Sequence, residues 1–296
     1  MFFEDLDGNA RYEWGLWNSW HNQKESCQEP DSDNNGSSSL MGFPLLSEER
    51  VKDMIATEKE YLPKNGYTSR LRGEDLMLSV RSEALDWILR ASPKHGFGPL
   101  SVWLSVNYLD RFLSVCVFPG QAWIVQLLAV SCLSIAAKMV EVDVPHVVDL
   151  QVWEEHLRKP EFLFEPKSIK AMELMIMSRL QWRLHSSTPY SYIDHFLNKI
   201  NDNYHFLSSA TSKSIQLILS TIKSVQFLEF RPSEVAAAVA ISVSMEMLQS
   251  LDIDEIVSQF ILVDKDKVVK CVELIADLSL TSECGSPIPT SSPRLA

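Results

Sequence analysis

Glycine is scarce in this 296-residue chain, at 10 residues, and proline numbers only 14; this leaves little room for a glycine-rich nucleotide-binding fold or a long low-complexity array. Basic residues are also short, 27 Lys and Arg against 39 Asp and Glu, for a formal charge of -12. That is the wrong sign for a protein whose main task is to neutralise phosphates on nucleic acid or an anionic membrane. The five cysteines, Cys27, Cys116, Cys132, Cys271 and Cys284, are odd in number and contain no C-x-x-C, which argues against both a disulfide framework and a zinc site. Reduced thiols point to nucleus and cytoplasm, and a start of Met1-Phe2-Phe3-Glu4-Asp5 lacks the basic and apolar regions of a signal peptide, so secretion is not expected. The longest apolar run, Trp123 to Ala137, is interrupted by Gln126, Ser131 and Ser134 and stops at Lys138, short of the roughly 20 residues a spanning helix needs. A phosphate loop, H-E-x-x-H and G-x-S-x-G are all missing, and the seven His are scattered. No catalytic residue, cofactor or metal is therefore expected.

What the chain does have is apolar material: 46% hydrophobic residues against 22% charged ones, enough for two packed domains of roughly 100 to 150 residues. Residues 1–45 hold eight acidic and two basic side chains. Their second part, Gln28 to Ser39, has nothing to bury and is expected to be disordered. Ahead of it Trp14, Trp17 and Trp20 lie three apart, with Tyr12 and Leu16 nearby, and would line one helical face. That stripe either packs back on a domain or folds as a short motif against a partner.

From Ser47 onward, a plausible N-cap followed by Glu48 and Glu49, helix signals follow one another, about eleven in all. Pro99, Pro119-Gly120, Pro145, Pro160, Pro166, Pro189 and Pro232 each stand at the mouth of an apolar-periodic segment, where the fixed φ of proline suits a first helical turn. No comparable segment alternates with period two, so the fold class is all-α. Trp123 to Met139 and Ser233 to Leu248 are apolar nearly all round and rich in Ala and Ser. Helices of that kind must be surrounded by others that approach closely. Each is expected to be the hub of its own bundle, and their separation of about 105 residues suggests an internal duplication joined near His185 to Pro189.

The run Leu104-Ser105-Val106-Asn107-Tyr108-Leu109-Asp110-Arg111-Phe112-Leu113-Ser114 closely resembles the second helix of the cyclin box. Arg81 to Leu89 looks like its first helix, Leu127 to Met139 its hub, and Met172-Glu173 with Leu180-Gln181-Trp182-Arg183-Leu184 its fifth. Phe227 to Ala238 and Thr188 to Ile193 resemble plant D-type cyclins in particular. The resemblance implies two tandem five-helix cyclin-box bundles: an acidic region 1–45, a first box with a leading helix at 46–186, a second bundle at 187–280, and a flexible tail at 281–296. It further implies a non-catalytic subunit that binds and activates a cyclin-dependent kinase in cell-cycle progression of the G1/S type. Such a subunit holds the kinase αC helix inward and so completes the ion pair and metal geometry of phosphoryl transfer. Lys138 and Glu173 would grip kinase backbone groups, one offering donors and the other acceptors. Ile135, Met139, Met177, Trp182 and Leu184 would supply the apolar floor between them. Arg81 and Asp110 would form a buried structural ion pair.

The same resemblance places a substrate-docking patch on Val80, Ala84, Trp87 and Gln126, with Glu83 and Arg90 where the family is usually less charged. Retinoblastoma-related and kinase-inhibitor proteins are implied as further partners. The family's L-x-C-x-E string for the former is degenerate here: Cys27 and Glu29 stand in place, but Glu25 replaces the leucine and puts a charge against an apolar pocket. Ser286-Pro287 and Ser292-Pro293 in the tail are minimal proline-directed phosphorylation sites. The competing readings are a transcription-machinery scaffold on the same fold, which would be expected to show a zinc ribbon and a basic surface, and an adapter that has lost kinase binding, against which Lys138 and Glu173 argue.

Overall fold

The computed structural model describes residues 46–151, 162–201, 203–248 and 253–283. Glu25, Cys27, Glu29, the tryptophan stripe and both Ser-Pro sites lie outside them. The described residues form eleven α-helices and no strand. They are α1 (Glu48–Thr57), α2 (Tyr67–Gly73), α3 (Asp75–Lys94), α4 (Pro99–Val115), α5 (Ala122–Val140), α6 (Pro166–Arg179), α7 (Pro189–Ile200), α8 (Tyr204–Thr221), α9 (Pro232–Leu248), α10 (Ile253–Gln259) and α11 (Lys265–Glu283). The last runs three residues past 280, the expected end of the second bundle.

Local chemistry accounts for five of the eleven helix starts. Ser47 Oγ accepts from the Arg50 amide at the mouth of α1, satisfying one of the amides a helix end leaves unpaired. Proline opens α4, α6, α7 and α9, and Thr188 and Ser191 form a reciprocal capping box ahead of α7. Gly120, just before α5, has φ of +67°, and a β-carbon there would meet Leu76 Cδ1 at 2.7 Å. Its backbone conformation favours glycine, whereas the Leu76 side chain, 58% exposed, has room to swing away.

The two apolar helices occupy the centres of two bundles. α5 packs on α3, α4 and α6; α9 packs on α7, α8 and α11. In α9 every residue from Pro232 to Ile241 is buried, and the alanines of the run let α7 and α11 approach closely. By length and composition α5 would also cross a membrane, but 83% of its apolar window is buried among the other helices, which is the reason for its composition here.

Packing divides the chain differently from sequence order at two places. Leading helix α1, expected to belong with the first box, buries Val51 and Ile55 in the second core beside Tyr192, Phe196 and Phe260. The turn that follows it places Glu58 against α9, where its carboxylate accepts from the Ser233 amide at 3.2 Å and the Ser233 hydroxyl at 2.7 Å. Glu58 thus caps a helix of the other bundle, a role open to a carboxylate at any helix N-terminus. Conversely, Ile222, between α8 and α9, belongs to the first core.

Candidate docking site

The end of the first hub helix carries Lys138, and α6 carries Glu173 opposite it. Lys138 Nζ lies 2.6 Å and 2.8 Å from the two carboxylate oxygens. The expectation that an apolar floor separates the two is therefore corrected: they touch. The Glu173 side chain is 1% exposed and that of Lys138 19%, so in the unbound chain Glu173 presents no acceptor to a partner. It holds the lysine, whose side chain is the more exposed of the two. A charge buried to that extent is tolerated because it is paired.

The floor residues are also set deeper than expected. Ile135 and Met177 have no exposed surface, and Met139 and Leu184 are buried; they stiffen the face from beneath, while Trp182 is half-buried and leans on the first core. Exposed apolar surface where α5 ends comes instead from Val140, Val142 and Val144, with Val142 97% exposed. At Val140 the sequence departs from a family pattern that commonly has an acidic residue there; sequence reasoning assigned no role to Val142 and Val144, although valines alternating with Glu141 and Asp143 just beyond the hub helix stand with no helix to pack them.

The substrate-docking patch needs the larger correction. Val80 and Ala84 are buried and Trp87 is only 7% exposed, all three within the first core, because α3 turns this face toward α5. Gln126 donates to the Phe162 carbonyl at 3.1 Å. These four do not form an open apolar patch; the exposed apolar residues on α3 and the start of α5 are Leu76, Leu78 and Trp123.

Arg81 and Asp110 are brought together in full. Arg81 Nε and Nη2 lie 2.7 Å and 3.1 Å from the two Asp110 oxygens, with both side chains almost wholly buried. Two partners were not foreseen: the Tyr67 hydroxyl donates to Asp110 at 2.8 Å, and Arg81 donates to the Ile222 carbonyl at 3.0 Å. Burial, then the Asp110 charge, push the Tyr67 phenol well above its ordinary value, so it remains a donor. The free thiols Cys132 and Cys271 are buried, and burial pushes Cys271 up to about 12, which keeps it protonated and unreactive.

Two tandem helical bundles, each around an apolar hub, with a lysine–glutamate pair at the end of the first hub, define a class. Residues 49–185 match the family described as "Cyclin, N-terminal domain" and residues 187–287 "Cyclin, C-terminal domain". The chain belongs to the cyclin family, and its similar relatives are D-type cyclins of plants. It is 47% identical over 249 residues to Cyclin-D4-2 of Arabidopsis thaliana, covering 83% of this chain and 81% of that protein. To Cyclin-D4-1 of the same organism it is 48% identical over 240 residues, 79% and 76% of the two chains. Among solved structures, a viral cyclin from herpesvirus saimiri shares the fold with a TM-score of 0.56 at 14% identity, over 67% of this chain and 83% of that one. A chain of the CAK complex from Chaetomium thermophilum bound to ATP-gamma-S gives 0.51 at 16% identity, over 80% and 76%.

Proposed function

We propose that the chain is a regulatory subunit that binds and activates a cyclin-dependent kinase at the G1/S transition, in nucleus and cytoplasm, and helps select substrates. The observation that carries this reading is the Lys138–Glu173 pair at the end of α5, with exposed valines where that helix ends and the half-buried Trp182 just past the end of the helix that carries Glu173. The chemistry of this face suits a partner helix with free backbone groups at its end. The lysine offers donors, the valines and indole offer apolar area, and the rigid bundle beneath supplies a surface that does not yield. Membership in the cyclin family and the likeness to a chain of a complex with bound ATP-gamma-S support it. In the kinase, a helix pressed inward from this face would complete the lysine–glutamate pair that orients the phosphates. Retinoblastoma-related and kinase-inhibitor proteins are the further partners of this reading.

The test is binding of the intact chain to a panel of plant cyclin-dependent kinases, followed by phosphorylation of histone or a retinoblastoma fragment. Val142→Asp, at an exposed position, is expected to leave urea melts unchanged and to abolish most binding. Lys138→Ala with Glu173→Ala is expected to weaken it by about 2 to 5 kcal/mol, the usual cost of truncating desolvated charged contacts. Wild-type affinity in both variants overturns this face. For the retinoblastoma arm, Glu25→Leu is expected to strengthen binding to the pocket protein, because it replaces a desolvated carboxylate with an apolar anchor; tight wild-type binding untouched by Cys27→Ala excludes that string.

A further inference from the structure

Helix α6 ends in an unusual turn. The Trp182 amide donates to Met177 O at 2.9 Å and the Gln181 amide to Ser178 O at 3.0 Å, the two bonds, reaching back five and three residues, that close a helix in a Schellman motif. The left-handed position of that motif is ordinarily glycine. Here it is Gln181, with φ of 54°, and Trp182 follows in the same region with φ of 59°. Among the described residues no other non-glycine has positive φ. Two successive left-handed residues with side chains are each disfavoured by contact of the β-carbon with the backbone, and such a conformation persists only where its surroundings over-determine it.

Those surroundings come from α4. The Tyr108 hydroxyl donates to Leu184 O at 2.8 Å, and Arg111 Nη1 donates to Arg183 O at 2.8 Å. Tyr108 is wholly buried, and Arg111 stacks on the Tyr61 ring at 5.3 Å while Asn107 holds the Tyr61 carbonyl. The donors are thus also held by contacts outside the turn. We propose that Tyr108 and Arg111 are positioning residues for partner docking: by bonding the carbonyls of Leu184 and Arg183 they hold Gln181 and Trp182 in the doubly left-handed turn that sets the exposed part of Trp182 at the end of the Glu173 helix. This rests on the kinase-docking reading and adds to it how the indole is held. The turn is a small two-state element, and a partner that needs the clamped form sees its affinity reduced by the fraction of chains that lose it.

The experiment measures affinity for whichever kinase of the panel binds the wild-type chain, at a temperature where urea melts show every variant folded, alongside amide hydrogen exchange. Tyr108→Phe removes one hydroxyl and keeps the ring. It is expected to speed exchange at 181–184 above the rest of the first bundle and to weaken binding about tenfold, the effect of a clamped turn populated about a tenth of the time. Gln181→Gly in that background removes the penalty for left-handed φ and is expected to restore most of the affinity. Gly73→Ala is the control: it lies at the end of α2 with open space around it, stabilises through the unfolded chain, and is expected to restore none. Gln181→Val, at an exposed position, probes the turn without touching the core and is expected to weaken binding like Tyr108→Phe. Faster exchange at 181–184 with unchanged affinity overturns the inference and leaves the docking reading standing. Rescue by Gly73→Ala equal to that by Gln181→Gly also overturns it, since the effect would then be general stability. Failure of the wild-type chain to bind any kinase overturns the docking reading and this inference together.

Discussion

At the scale of single residues, two buried acids are held by different neighbours. Asp110 receives the Arg81 guanidinium in a two-bond contact and the Tyr67 hydroxyl besides, so removing one member strands the others. Arg81→Ala and Asp110→Ala are each expected to cost about 3 to 5 kcal/mol. The double variant should lose clearly less than their sum, and Tyr67→Phe only about 1 to 2 kcal/mol, since Arg81 still pairs the carboxylate. Urea melts on this set check it; strictly additive losses would dissolve the network. Glu58 has no cation of comparable closeness. Burial raises its carboxyl above the ordinary 4.5, with the Ser233 bonds and Arg231 opposing and Glu234 adding to the rise. The folded state then holds a proton more tightly than the unfolded chain, so the sign of the linkage is that stability falls as pH rises from about 4.5 through the raised value. Glu58→Gln keeps an acceptor for Ser233 and removes that dependence: its advantage over wild type should be largest at pH 7 and shrink on acidification, as melts at several pH values will read. The Arg81–Asp110 contact was legible because both residues stand in recognisable helix motifs. The Tyr67, Ile222 and Ser233 partners were not, since they come from segments 43, 141 and 175 residues away with no periodicity to link them.

At the scale of elements, the hubs and the proline-opened helices were readable from the chain because their causes are local: apolar character on every face, and a fixed φ at a first turn. The partner of an amphipathic helix is a different kind of information. α1 shows a cap, acidic first-turn residues and an apolar face at Val51 and Ile55, but nothing in those ten residues says which bundle receives that face. The inward rotation of α3 was hidden for the same reason: Val80, Ala84 and Trp87 fit an exposed patch and a core stripe equally well, and only the position of α5 decides. The location of α1 yields an expected outcome. Val51→Ala should lower stability by about 1 to 3 kcal/mol, the range for lost methyl groups in a packed core, and should raise hydrogen exchange in α7, α9 and α11 before α3 and α5. Exchange rising first in α3 and α5 would return the leading helix to the first bundle.

At the scale of the whole molecule, the question is whether two bundles unfold as two bodies or as one. Their apolar cores are separate clusters, yet Leu100 and Trp103 of α4 pack on both. The polar ties across the junction are the Arg81 bond to Ile222 O, the Glu58 cap on α9, and the Arg72–Glu229 ion pair at 2.7 Å. The first two are buried, so opening the junction would leave the Ile222 carbonyl, the Glu58 carboxylate and the N-terminus of α9 without these partners, while Arg81 would keep Asp110 and lose one bond; the exposed Arg72–Glu229 pair adds little. Against this, a cavity of about 70 Å³ lies in the junction, lined by Trp103, Val106, Phe227 and Phe230 beside Arg81, and the contacts such a gap forfeits weaken the join. The buried polar ties outweigh it, because each unpaired group costs about 1 to 3 kcal/mol, more if charged. A single cooperative transition is therefore expected, with circular dichroism and tryptophan fluorescence coincident in urea. Trp103→Ala removes the side chain that touches both cores and enlarges the gap beside it, at a cost of about 3 to 5 kcal/mol. That loss falls on the junction rather than on either hub, so the melt should separate into two steps, the first-bundle signal parting from the second. A wild-type melt already in two steps, or a Trp103→Ala melt that shifts without splitting, would show that the bundles are joined by something other than this seam.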